Sequence, residues 1–350
     1  MATTVTHIVD PDGGAGHDYD SLSLWEAGEQ GDLTGVRDEI AVAKCQCTGG
    51  TADATNFTID GWTTSATQYI KIWTDPAESY RHSGKWGIGN KYRLEVSVSG
   101  GTDAFIFKED FIIVEGLQFQ LTASSGTSAV IWPNNLGATT VFTFQKNIVR
   151  SVESGTFVSY LLYATSITSG AQINIFNNAF YDFNRSSSNN IFAGNSAGHL
   201  RLYNNTFHNC TGALASTGRD SAIMINCLFD CGAQGSVAGT WIAGTNCNAS
   251  AHSSLGYTVT GGGNTGDRLS QTFTFVDPDN GDFHLAANDA GALDYGLGTN
   301  VKATFADDID GQTRPATDGD WDIGADEYVA AVSDISISIS ESLAFAEALD

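Results

Sequence analysis

Three short stretches decide the fold: Phe176-Asn177-Asn178-Ala179-Phe180, Tyr203-Asn204-Asn205-Thr206-Phe207 and Ile225-Asn226-Cys227-Leu228-Phe229. Each closes one apolar run, passes through two small polar residues and opens the next run on an aromatic. They follow one another after 27 and then 22 residues. Looser copies stand upstream at Phe144-Gln145-Lys146-Asn147-Ile148 and Val114-Glu115-Gly116-Leu117-Gln118-Phe119. Self-similarity at such a period marks a solenoid, in which each coil buries its apolar face only against its neighbours. Asn tolerates the left-handed backbone of a sharp turn better than any residue but Gly. Stacked Asn side chains can also bond along the solenoid axis, and the flanking Phe and Tyr are expected to stack inward beside them. Turn and stack account for these Asn residues without any catalytic duty.

Outward from this centre, strand-like runs recur at short intervals: Glu39–Ala43, Asn56–Ile59, Tyr69–Trp73, Tyr92–Val96 and Phe111–Val114. They alternate or carry β-branched and aromatic residues, with Gly, Asp and Ser between them. Residues 1–35 read as an N-terminal cap holding one short helix, N-capped by Asp20 or Ser21, with Leu22 and Trp25 on one face. Residues 36–260 form the repeat, 261–330 an irregular closing region, and 331–350 an Ile/Ser-alternating tail that reads as an assembly strand or a linker. The fold expected is all-β: a single-stranded right-handed parallel β-helix with a short helical cap and an irregular C-terminal closing region.

Composition narrows the function. Sixteen Lys plus Arg stand against 40 Asp plus Glu, for a net charge of −24. Nucleic acid needs a basic surface, so it is not an expected partner, and anionic membrane surfaces are disfavoured for the same reason. No run approaches the roughly 18 apolar residues of a membrane helix. The start, Met1 to His7, lacks the basic and apolar regions of a secretory signal. The six cysteines lack the paired spacing of a zinc site and read as buried, free thiols; Cys210 and Cys231 fall at similar places of successive coils.

After the repeat come four blocks: Asp277-Pro278 with Gly281-Asp282-Phe283-His284-Leu285, then Asp289-Ala290-Gly291, then Asp308-Ile309-Asp310-Gly311-Gln312 with Arg314-Pro315, and Asp322-Ile323-Gly324-Ala325-Asp326-Glu327-Tyr328. Here the chain resembles right-handed parallel β-helix repeat proteins, whose C-terminal ends carry such blocks in this order. The blocks around Tyr19–Glu26 and Arg81–Trp86 are similar to environmental and viral members. The resemblance implies architecture and a surface or extracellular setting, with no assigned chemistry.

The Asn-Thr-Asp, Gly-His-Gly and Arg-x-Lys sets of polygalacturonase-like enzymes are absent. A lyase needs a basic residue beside a calcium-binding acidic cluster, and Arg150, Arg185 and Arg201 sit at strand ends outside any such cluster. A two-carboxylate glycosidase stays open, with Asp182, Asp230 and Glu153 as candidates. Structural calcium is the one cofactor considered, in two Gly-containing acidic loops: Asp10, Asp12, Asp18 and Asp20, and Asp308 with Asp310. Neither follows the EF-hand register, and Asp as a turn former is the plainer reading. Arg81, His82 and Trp86 could form a saccharide platform, with Trp86 stacking on a ring, or a packed loop between coils.

The function expected is that of a non-enzymatic structural or adhesive protein, in a virion or at a cell surface: a phage appendage, decoration or tail-fibre protein. The alternative is a carbohydrate-active enzyme, a polysaccharide lyase or depolymerase; a bacterial adhesin is third. Expected partners are further copies of the chain, as in a homotrimer, other virion proteins, or a surface glycan.

Overall fold

The computed structural model describes residues 2–99, 103–124, 126–153, 158–183, 192–193, 197–210, 214–215, 219–231, 237–238, 240–242, 248–251, 258–260, 266–298, 301–317 and 320–330. The expectation for the tail at 331–350 lies outside these residues, as do those for Arg185, Cys247 and the Glu153 side chain. Among the described residues the chain is nearly all β, with one α-helix. That helix is not long and apolar enough to cross a membrane.

Three long sheets carry the architecture. The first has eight parallel strands, from Thr3–Val9 through Ile112–Glu115, Val141–Gln145, Gln172–Phe176 and His199–Tyr203 to Ser221–Ile225. The second has seven, from Arg93–Val98 through Gln118–Ala123, Ile148–Glu153, Ala179–Tyr181, Thr206–His208 and Leu228–Asp230 to Ala249–Ser250. The third, also of seven, runs from Phe57–Ile59 to Val237–Ala238. From Ile112 to Ala238 the chain visits first, second and third sheet in turn and then returns to the first. Over that span each strand pairs with its equivalent one visit later, until each sheet reaches its last strand. This arrangement is compatible with a parallel β-helix.

Register keeps like beside like. Phe142 pairs with Ile173, Ile173 with Leu200 and Leu200 with Ala222, all buried. Phe180, Phe207 and Phe229 stack inside the second sheet, with ring centroids 5.1 and 4.8 Å apart. Each such side chain taken from water stabilises the stack by about 1.5–3 kcal/mol, which is how very short strands hold together.

From Ile112 onward the turn from first to second sheet is two residues long, and its first residue is left-handed each time: Gly116 (φ 76°), Lys146 (55°), Asn177 (51°), Asn204 (50°) and Asn226 (53°). The second residue points inward. The Asn178 Oδ1 accepts from the Asn147 backbone N–H at 2.9 Å, and the Asn205 Oδ1 accepts from the Asn178 N–H at 3.1 Å. Their Nδ2 groups donate to the carbonyls of Phe144 and Ile175 on the preceding coil. The expected Asn ladder is present, with Asn147, Asn178, Asn205 and Asn248 all fully buried.

Two expectations need adjusting. Residues 3–9, placed in the cap, form the edge strand of the first sheet, paired in register with Glu39–Cys45; their run of β-branched residues, broken only by His7, suits that edge. The helix α1 (Leu22–Glu29) has Ser21 as its N-cap, buries Leu22 and Trp25, and sets Trp25 against Trp62 at 5.4 Å. Only one of the two aromatic rows faces inward. Phe176 and Tyr203, which precede the turns, stack on each other at 5.0 Å on the outside, in a separate cluster with Val301 and Trp321.

Candidate functional site

The closing region explains that second row, because it lies along the flank of the stack. Phe275, Phe283, Leu285, Ile309 and Ile323 pack on Ile148, Ala179, Tyr181, Leu228 and Ala249 of the second sheet. The left-handed turn residues, whose side chains point outward, receive it. The Asn177 Nδ2 donates to the Asp307 carbonyl (2.9 Å), Asn204 to that of Asp322 (3.4 Å) and Asn226 to that of Leu297 (2.9 Å). Arg314 is fully enclosed; it donates to Asn177 Oδ1, to the carbonyls of Gly324 and Ala325, and to Glu327 Oε2 at 2.9 Å. Gly324, at φ 117°, sits against Thr206 and Leu228, where any side chain would collide.

The same packing brings together segments far apart in sequence. The strand Asp282–Leu285 presents His284 toward the loop after Asp308 and toward Asp326. The His284 Nδ1 bonds Asp282 Oδ1 at 2.5 Å, and Lys85 reaches the other Asp282 oxygen at 3.2 Å. The His284 Nε2 lies 3.5 Å from Asp310 Oδ2 and 3.9 Å from Asp326 Oδ1. Asp326 is held by its other oxygen, which accepts from the Leu285 N–H at 2.7 Å, and Asp310 by Gln312 Nε2 at 3.1 Å. Among the described residues, this is the one group of three or more His, Cys, Asp or Glu whose ligand atoms all lie within 4.8 Å of one another.

The electrostatics are those of a negative nest. Burial works against a charge on His284, but the carboxylates of Asp310, Asp326 and Asp282 prevail and raise its pKa to about 9. Burial raises the Asp326 carboxyl. Asp282 and Asp310 are also desolvated, yet the adjoining imidazole and other donors hold both below the usual carboxylate range.

The residues singled out by sequence fare unevenly. Asp310 belongs to the cluster. Asp308 does not: its Oδ1 accepts three backbone N–H bonds, from Asp310, Gly311 and Gln312, and its Oδ2 a fourth from Glu327. It is a turn former that ties the loop to the last block. The carboxylates of Asp10, Asp12, Asp18 and Asp20 do not converge. Asp10 accepts from Asp12, Gly14 and Thr48, Asp12 from Gly49 and Thr51, Asp18 from Ile8, and Asp20 bonds His17. Arg81 and His82 are buried, Arg81 against Glu115 and the Thr74 carbonyl and His82 against the Lys146 carbonyl at 2.8 Å. Trp86 is half-buried under the Arg150 guanidinium, 3.9 Å away. Of that trio only Trp86 has surface to offer a saccharide.

Among the glycosidase candidates, Asp230 is paired with His208 at 2.8 Å and Asp182 accepts from Asn209 at 2.7 Å. His284 and Asp326 were not singled out. Each stood inside a recognised block, but 42 residues of sequence separate them and only the folded flank joins them. The five described cysteines are free and buried as expected.

No family model and no curated protein matches the chain. The likeness to β-helix repeat proteins therefore stays a resemblance, carried by the quoted blocks.

Proposed function

We propose that the chain is a right-handed parallel β-helix with a helical cap near its start and the region 261–330 as its closing piece. In this reading it is a non-enzymatic structural or adhesive protein of a virion or cell surface, of the appendage, decoration or tail-fibre kind. The observation that supports this most is the fate of the Asn pairs. The strongest feature of the sequence is consumed by structure, with one Asn of each pair binding coil to coil and the other binding the closing region to the coils. Cations near the flank are also committed to partners: Lys71 and Arg81 to Glu115, Lys85 to Asp282 and Lys146 to Asp307. A lyase base drawn from these four would first have to leave its carboxylate. Self-association or binding to other virion proteins is the partner this function requires, and a surface glycan is the ligand an adhesive role would add.

The test is incubation with a panel of acidic and neutral polysaccharides, read as chain length by size-exclusion chromatography with light scattering. Unchanged chain lengths, with the protein eluting as a homo-oligomer, are expected. Shortened chains whose formation is lost on a single carboxylate substitution would overturn the reading.

A further inference from the structure

We infer that His284, Asp310 and Asp326 bind one divalent transition-metal ion of the Zn2+ class, through the imidazole Nε2 and one oxygen of each carboxylate. The ion would clasp the three segments of the closing region: the strand Asp282–Leu285, the loop after Asp308 and the last block.

The first ground is geometry. Zinc bonds of about 2.0–2.2 Å to nitrogen and oxygen put neighbouring ligand atoms roughly 3.0–3.5 Å apart. The separations of 3.5 and 3.9 Å from Nε2 exceed that by a few tenths at most. They are too long for direct hydrogen bonds, whose N···O distance is about 2.7–3.2 Å.

The second ground is what the cluster leaves unpaired. Asp326 is 4% exposed, and its Oδ1, the oxygen facing His284, has no hydrogen-bond donor. The Asp310 oxygen facing His284 is Oδ2, which accepts from Gln312 Nε2 at 3.1 Å and has a second lone pair to offer an ion. A buried, unpaired carboxylate oxygen is expensive and calls for a positive partner. One proton on Nε2 would point at a single oxygen and reach neither at bonding distance. An ion in the middle gives Asp326 Oδ1 its missing partner while also reaching Asp310 Oδ2.

The third ground is the support around the ligands. The His284 Nδ1 is engaged by Asp282, so Nε2 is the nitrogen that faces the cluster and would give up its proton to bind the ion, and Lys85 steadies Asp282 from outside. A carboxylate behind a ligating histidine is the usual second support of such sites. Gly84 leaves open the space beside Nε2, where any side chain would meet the imidazole. His284 and Asp310 keep 21% and 16% of their side-chain surface, so an ion has an entry path and solvent can complete its coordination. Calcium is the poorer fit, since it takes six to eight oxygen ligands and this nest offers two carboxylates and a nitrogen.

The chelator-stripped full chain is titrated with Zn2+ by calorimetry, and with Co2+ by visible absorption. One ion per chain is expected, with a melting temperature raised by a few degrees and Co2+ d–d bands of a nitrogen/oxygen site. Asp326→Asn and His284→Gln should each weaken binding about 100-fold, and Asp282→Asn about 10-fold. Where a variant fails the circular-dichroism check for folding, the Co2+ spectrum of the unaltered protein decides alone. Absence of saturable binding, equal binding by folded variants, Ca2+ matching Zn2+, or thiolate-to-Co2+ charge-transfer bands from cysteine would each overturn the inference.

Discussion

Asn177 and Asn178 are chemically identical neighbours with opposite duties, and backbone conformation divides the work. The left-handed turn at Asn177 points its side chain out to Asp307 and Arg314, while Asn178 points in and spans two coils. One coil breaks the inner row. At Cys227 the sulfur donates to the Leu202 carbonyl at 3.4 Å, where Asn205 and Asn178 donate amide N–H groups to their own preceding coils at 2.8 and 3.0 Å. Sulfur is also a weak acceptor for Asn205 Nδ2, 3.8 Å away. Cys227→Asn should restore both bonds and raise stability by about 1 kcal/mol. The check is a higher urea midpoint at unchanged slope; a lower midpoint would show that the slot cannot accept the amide. Substitution of Asn by Cys was visible in the aligned repeats. The outward role of the first Asn was not, because its partners in the closing region lie 71 to 137 residues away, beyond any local pattern.

At the scale of elements, the loop Arg81–Trp86 is held between the turn row and the closing strand. The His82 Nε2 donates to the Lys146 carbonyl, its Nδ1 accepts from the Gly84 N–H, and the Trp86 N–H donates to Gly281. That fixes His82 as neutral. Burial, helped by the Arg81 charge, lowers its pKa to about 3. The unfolded chain takes up this proton near pH 6.5 and the folded one only near pH 3, so His82 adds stability above 6.5 that is lost as pH falls between these values. At pH 4.5 the loss from this residue is about 2–3 kcal/mol. Urea denaturation at pH 7 and 4.5 should show a smaller acid loss in His82→Gln than in the unaltered protein; equal losses would remove His82 from the account. The sequence showed this loop as hydrophilic and aromatic, which suits a surface platform as well as a packed strap. Only its placement under the closing strand separates the two. The helix was legible for a local reason: its cap and its buried pair lie within five residues.

For the whole molecule, eight strands of the first sheet at about 4.8 Å spacing make a stack of roughly 34 Å. The described body is therefore no long fibre by itself, and a fibre would require assembly of several chains. Its acidic surface favours solubility and leaves cations as natural companions. The closing region is fastened along the stack by the outer turn residues, so both should unfold as a single cooperative body. Native-state hydrogen exchange tests this most directly. The ladder amides of Asn147, Asn178 and Cys227 and the closing-region amides of Leu285, Ile309, Gly324 and Ala325 all donate to buried or part-buried acceptors. The account predicts that both sets exchange only through global unfolding, with the same free energy and the same denaturant dependence. Closing-region amides that exchange through a separate, lower-energy opening while the ladder stays protected would contradict it.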